Sequence, residues 1–334
     1  MKKILILILI AALFCGCVQV QVGPETQTTQ PRASSQETEP SAPASVSPGK
    51  ILHLGMHTDQ SRGLWAINTD GTNLKKLVSQ YVDAIASPDS SKIIYVYSKS
   101  IFEIRPDGSN KREVEEASGA VSNLRFSPDG RYIMYMDGNK VIAESMIDGL
   151  EYELTGSKPD QPSTGSSPAY CGKDSIVFIS GKNIYRADIE TETTETWMSL
   201  SNPQALQASP SAVYLSFSDS GSFWIAKNEK NSADRTEVAK STVTNYEWSP
   251  DSKKIVYETT GGRFYIYDVA GKTSKTVEKD SEDRFSWSPD SQGIAFTYKD
   301  PVTYEDIWFV KADGTGLQKF TNCPTACEKP FWTG

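Results

Sequence analysis

The sequence predicts an all-β fold, a seven-bladed β-propeller with four antiparallel strands per blade, and three observations predict it. A Ser-Pro pair recurs at Ser47-Pro48, Ser87-Pro88, Ser127-Pro128, Ser167-Pro168, Ser209-Pro210, Ser249-Pro250 and Ser288-Pro289, at intervals of 40, 40, 40, 42, 40 and 39 residues. About midway through each interval a second phrase returns, as in GLWAINTDG (63–71), SIFEIRPDG (100–108), RFYIYDVAG (263–271) and DIWFVKADG (306–314). Between these signals lie short β-branched and aromatic runs, without the 3.6-residue apolar spacing a helical solenoid needs.

Each element follows from turn chemistry. In Ser249-Pro250-Asp251-Ser252 the serine hydroxyl can hydrogen-bond the backbone further on, and proline presets φ at the second corner of a type I turn. One unit therefore reads as strand A, Ser-Pro-Asp turn, strand B, loop, strand C, Asp-Gly turn, strand D. That is the content of one propeller blade at about 40 residues. The copies at 167–178 (SPAYCGKDSIVF) and 209–217 (SPSAVYLSF) lack the turn aspartate.

These phrases carry a resemblance. LRFSPDGRYIMY (124–135), EWSPDSKKIVY (247–257) and SWSPDSQGIAF (286–296), each followed by an I-W/Y-x-V-x-x-D-G strand, resemble the TolB-type (WD-repeat-like) propeller family over about 47–334. The resemblance implies the fold, and a protein or peptide partner at the channel mouth. TolB itself carries an N-terminal domain ahead of its propeller where this chain has a tether, so the same envelope complex is not implied.

Blade one lacks a first strand of its own. Ile51–Leu54 supplies strand B, and Lys75–Ser79 a strand D, but a Ser/Pro/Ala tract precedes Ile51. The tail EKPFWTG (328–334) has the Phe331-Trp332-Thr333 of a strand A and nothing after it. The expectation is that this tail inserts beside Ile51–Leu54 and closes the ring, removing an unpaired edge at the seam. The alternative occupant is Ala44–Val46. Cys323 and Cys327 flank the same seam and read as a structural disulfide; a zinc pair is the rival, but no second Cys or His pair completes four ligands. Cys171 reads as a buried strand thiol.

The first fifty residues read as export and tether. Lys2 and Lys3 precede an apolar run of eleven residues, Ile4 to Phe14, too short to span a bilayer and suited to a signal peptide. Gly16 before Cys17 fits a lipoprotein cleavage site, so residues 1–16 are the expected signal and Cys17 the lipidated residue, although Phe14 stands where leucine is usual. Residues 17–49 form a Ser/Thr/Pro/Gln-rich tether too poor in apolar groups to fold, and 50–334 the propeller. The expected location is the extracytoplasmic face of a cell membrane.

The formal net charge is −8, or −10 once Lys2 and Lys3 are removed, with no basic run, which argues against nucleic acid and anionic lipid surfaces. There is no G-x-S-x-G elbow, and the two histidines, His53 and His57, both fall in blade one, too few for a metal site drawing histidines from several blades. No cofactor or metal is expected. Turn capping explains most carboxylates, and inter-blade packing explains Trp65, Trp224, Trp248, Trp287, Trp308 and Trp332, leaving Trp197 unassigned.

Loop lengths give the functional clue. Most B–C loops are tight, as in DGNK (137–140), SGKN (180–183) and DSGS (219–222). Two are long, GMHTDQSRG (55–63) and YKDPVTYED (298–306), and ring closure makes their blades neighbours, with the cysteine loop between them. Loops on a rigid scaffold carry recognition. The candidate contacts are His57, Asp59, Arg62, Lys299, Asp300 and Tyr304; the rival reading is drift at the ends of a repeat array, and a long connection at 155–166 lies elsewhere in the ring. The expected function is a monomeric, non-catalytic module binding a protein, peptide or glycan of the cell envelope. The alternatives are a polysaccharide-acting enzyme and a structural subunit of a surface assembly.

Overall fold

The computed structural model describes residues 50–333, apart from 57–61, 82, 244, 260–261, 281–284, 300–303 and 324. The expected signal peptide, tether and Cys17, with Ser47-Pro48 and the alternative strand Ala44–Val46, lie outside the described residues.

Blade one holds β1 (Lys50–Met56), β2 (Arg62–Asn68) and β3 (Lys75–Val78). Blade two is β4 (Asp83–Ala86), β5 (Ile93–Tyr97), β6 (Ser100–Ile104) and β7 (Arg112–Glu116). Blade three is β8 (Val121–Phe126), β9 (Tyr132–Asp137), β10 (Lys140–Ser145) and β11 (Glu151–Glu153). Blade four is β12 (Ser166–Tyr170), β13 (Ser175–Ser180), β14 (Asn183–Asp188) and β15 (Thr194–Ser199). Blade five is β16 (Pro203–Ala208), β17 (Tyr214–Asp219), β18 (Ser222–Lys227) and β19 (Arg235–Ala239). Blade six is β20 (Tyr246–Trp248), β21 (Lys254–Glu258), β22 (Arg263–Asp268) and β23 (Thr273–Asp280). Blade seven is β24 (Phe285–Trp287), β25 (Gly293–Lys299), β26 (Glu305–Lys311) and β27 (Gln318–Lys319). The last strand, β28 (Cys327–Thr333), returns to β1 and completes a sheet ordered β28-β1-β2-β3. Ile51 pairs with Trp332 and Leu52 with Phe331, the closure the tail motif predicts.

First strands of neighbouring blades lie side by side, β28 with β4, β4 with β8, β8 with β12, β12 with β16, β20 with β24 and β24 with β28. Second strands are apolar on both faces because a sheet neighbour flanks each side and a blade covers each face; β5 reads IIYVY and β9 YIMYMD. Outermost strands are polar, as in β7, REVEE, which blunts the exposed edge. The apolar core is divided among the blade interfaces. One cluster joins Ile94, Ile101 and Leu124 between blades two and three, and another joins Val256, Phe264 and Phe296 between six and seven. Ile51, Ile67, Ile307, Phe309 and Trp332 seal blade seven to blade one.

The turn serines act in both directions. Ser249 Oγ donates to Asp251 Oδ1 at 2.7 Å and accepts from Lys254 N at 2.9 Å; Ser288 repeats this with Asp290 and Gly293. The fourth turn residue stands at positive φ, +60° at Ser252 and +61° at Ser291. The serine hydroxyls there reach the preceding blade, Ser252 Oγ accepting from Ser211 N and Ser291 Oγ from Asp251 N.

Blade four departs from the sequence reading. Ser167-Pro168 is not the A–B turn but part of β12, and the turn runs from Cys171, whose N–H donates to Ser175 O at 2.9 Å as Ser127 N does to Tyr132 O at 2.8 Å. Ser167 instead sits in a bulge four residues earlier, at φ +47°, matching Asn123, Ala205 and Lys329 in the first strands of blades three, five and one. Cys171 is therefore a turn residue rather than a strand residue; it is buried and unbridged, and burial pushes its thiol up to about 11.

The tryptophans occupy two positions rather than one. Trp248, Trp287 and Trp332 lie on first strands and pack between blades. Trp65, Trp224 and Trp308 lie on third strands, where cations cover rings at the sheet surface, Lys76 over Trp65 and Arg235 over Trp224. Trp197 belongs to β15, donates to Asn228 Oδ1 at 2.9 Å and lies under Arg186.

Candidate functional site

The sector between blades seven and one is built around the cysteine loop. Cys323 and Cys327 are joined by a disulfide across a Cα separation of 6.0 Å. Cys327 lies opposite Gly55 of β1, where a Cβ would come within 3.0 Å of its Sγ and 3.1 Å of the Ala326 carbonyl, so glycine is what lets the loop approach. The other anchor is Asp306, 1% exposed, whose carboxylate accepts from Thr321 Oγ1 at 2.9 Å and Cys323 N at 2.8 Å and pairs with Lys319 Nζ at 2.6 Å. Glu305 forms a parallel bridge with Ala326.

The predicted contacts divide. Arg62 opens β2, and its guanidinium spans β1 to the Glu328 carboxylate of β28 at 2.8 Å, so it braces the closure as well as facing solvent. Lys299 ends β25, exposed and in register with Glu305, and Tyr304 next to it in the chain is 56% exposed. Arg62–Glu328, Ala326–Glu305 and Lys299 thus form a continuous band across the seam. His57, Asp59 and Asp300 lie outside the described residues.

His53 is fully buried on β1, with a ring nitrogen and the sulfurs of Cys323 and Cys327 all within 4.8 Å of one another. Imidazole with two thiolates is a donor set for a soft or borderline metal ion, but here the two sulfurs are bonded to each other.

Two further carboxylates on this face accept from backbone amides. Asp137 accepts from Ser118 N and Oγ and from Gly119 N; Asp219 accepts from Ser201 N at 3.1 Å and Asn202 N at 2.6 Å. With Asp306 they hold the D–A loops of three blades, a role not visible in sequence because their partners lie 15 to 19 residues away. On the opposite face, Ser87 and then Ser91 hold the Asp89 carboxyl down to about 2, and Ser/Thr hydroxyls hold Asp70, Asp107 and Asp313 low in the same way. Groups so stabilised as anions are poor proton donors near neutral pH.

Fold and seam together define a closed seven-bladed β-propeller with a disulfide-braced loop at its joint. Its likenesses to solved structures are those of the fold. TolB from Acinetobacter baumannii superposes with a TM-score of 0.56 at 16% identity, over 85% of this chain and 66% of that one, so this chain spans slightly under two thirds of that TolB chain. A chain of the Mitotic Checkpoint Complex gives 0.55 at 15% identity over 89% of each chain. An oligogalacturonate lyase in complex with manganese gives 0.56 at 12% identity over 82% of this chain and 86% of that one. No protein-family model matches, and no curated protein matches by sequence.

Proposed function

We propose that this chain is a membrane-tethered, extracytoplasmic binding module of TolB-type, which takes a protein segment or envelope glycan at the seam of blades one and seven and performs no catalysis. The observation that carries this reading is the allocation of polar groups there. Asp137, Asp219 and Asp306 spend their carboxylates on loop amides, and His53 is sealed beneath the disulfide. Exposed Lys299 and Tyr304 flank the long loop of blade seven. Among the described residues such a surface supplies contact area and hydrogen bonds, with its buried carboxylates committed to loop backbone. Likeness to the TolB structure supports the protein-binding form of the reading.

The test is photo-crosslinking from positions 57 and 304 in intact cells, followed by mass spectrometry. A recurrent envelope adduct from both positions is expected; adducts from neither, with equal yields from control positions on β7, would overturn the placement. A second reading, an enzyme acting on envelope polysaccharide, draws on the likeness to the lyase. Release of unsaturated oligosaccharides from polygalacturonate with manganese would favour that reading over binding alone.

A further inference from the structure

One position breaks the sevenfold pattern in a way the fold does not require. The residue just before the C–D turn is buried and apolar in six blades: Ile67, Ile104, Ala187, Ala226, Tyr267 and Val310. In blade three it is Glu144, 3% exposed. The turn that follows is also one residue longer than in blade two, Ser145 N donating to Leu150 O where Arg105 N donates to Ser109 O. The extra residue leaves Ile147 75% exposed at the lip, with Leu150 54% exposed beside it.

The result is a cleft of about 270 Å³ lined by Arg112, Val114, Glu144, Met146, Ile147 and Asp148. Glu144 lines it, and its Oε2, buried, accepts no hydrogen bond from any described residue. A buried carboxylate with an unfilled acceptor is destabilising, where the apolar residue that fills this position elsewhere is not. Its charged neighbours add to the imbalance. Glu115 of β7 and Glu151 of β11 raise its proton affinity, and Arg112 of β7 opposes them while bound to Glu103 of β6 at 2.7 Å. Tyr135 of β9 donates to Glu151, and Asp148 in the turn is held as an anion by Ser145. Burial first, then Glu115 and Glu151, push the Glu144 carboxyl up to about 7.

We propose that this cleft, on the face opposite the long loops, binds a primary ammonium group on an aliphatic chain, with Glu144 accepting from the ammonium and Met146 and Ile147 packing the methylenes. An ammonium brings three donors on a flexible stem and tolerates the spread of these carboxylates, which lie too far apart to form a compact metal cage. The ligand is either a lysine side chain of a partner or a free aliphatic amine.

The test is calorimetric titration of the full chain at a pH of about 8, where Glu144 is ionised, with two probes: Nα-acetyl-lysine methylamide and 1,4-diaminobutane. Binding of at least one is expected, weakening at least about tenfold in Glu144→Gln and in Glu144→Ala, the latter restoring the residue found at positions 187 and 226. Acetylating the probe's ε-amine should abolish binding. The lysine derivative alone binding assigns the source to a protein partner, and the diamine alone to a free amine. No heat from either probe, equal affinity in both variants, or equal affinity for the acetylated probe would overturn the proposal.

Discussion

The indole N–H of Trp332 donates to the carbonyl oxygen of Ser286 at 3.0 Å, joining the last strand of the chain to the first strand of blade seven. The same bond appears one blade earlier, Trp287 Nε1 to Glu247 O at 3.1 Å. Ser286 and Glu247 each precede the tryptophan of their own blade, so the closing contact repeats an ordinary inter-blade contact. The seam thus repeats the contact made between blades six and seven. Trp332→Phe, which keeps the ring and deletes the donor, should cost about 1–2 kcal/mol in denaturant unfolding. Trp332→Ala should cost about 3–5 kcal/mol by emptying the interface. Unchanged stability in Trp332→Phe would remove the hydrogen bond from the account, and a loss equal to that of Trp332→Ala would remove the packing.

The disulfide closes a short loop already tied by Asp306. Cys323→Ala with Cys327→Ala should lower stability by about 2 kcal/mol, the loop-closure entropy released to the unfolded chain. Asp306 should keep the reduced loop near its place, so the seam should remain protected from proteolysis. Early cleavage there in the double variant would show that the sulfur bridge alone holds the loop.

Glu144 gives a pH signature. Its folded pKa is raised from 4.5 to about 7. Below about pH 4.5 folded and unfolded states are both protonated, and the site adds no penalty. As pH rises from 4.5 towards 7 the unfolded chain releases this proton while the folded chain keeps it, so stability falls, and above 7 the loss is complete. Glu144→Gln should therefore be more stable than the parent by up to about 3 kcal/mol at a pH near 8 and equal to it near pH 4. A gain independent of pH would contradict this origin.

In the proposed function, Cys17 carries the membrane anchor. Cys17→Ser should move the protein from the membrane to the soluble fraction on cell lysis, because a diacylglycerol and an amide-linked chain together supply a stable anchor. Persistent membrane retention of the variant would count against lipidation.

Much of this architecture is legible in the sequence because turn chemistry is local. Ser87, Ser127, Ser249 and Ser288 each bond an aspartate two residues on, so hydroxyl, proline and carboxylate recur as a unit. The tail was legible because Phe331-Trp332 has the aromatic content of a first strand. Blade four was misread because Ser167-Pro168 imitates the turn four residues too early, while the true turn begins at Cys171 with neither serine nor proline. Glu144 became visible only through register: VIAES looks like any half-buried strand until its neighbours fix which residue precedes the turn. Asp306 was hidden for another reason, since its partners Thr321 and Cys323 lie across a turn and its role depends on the closed seam.

The most direct measurement is thermal unfolding of the chain lacking residues 329–334, read beside limited proteolysis. Removing this segment takes Phe331 and Trp332 from two interfaces and leaves β1 with a bare edge. The melting temperature should fall on the order of 10 °C, with early cleavage in blade one. An unchanged melting temperature and an intact blade one would mean that the ring does not depend on its own tail.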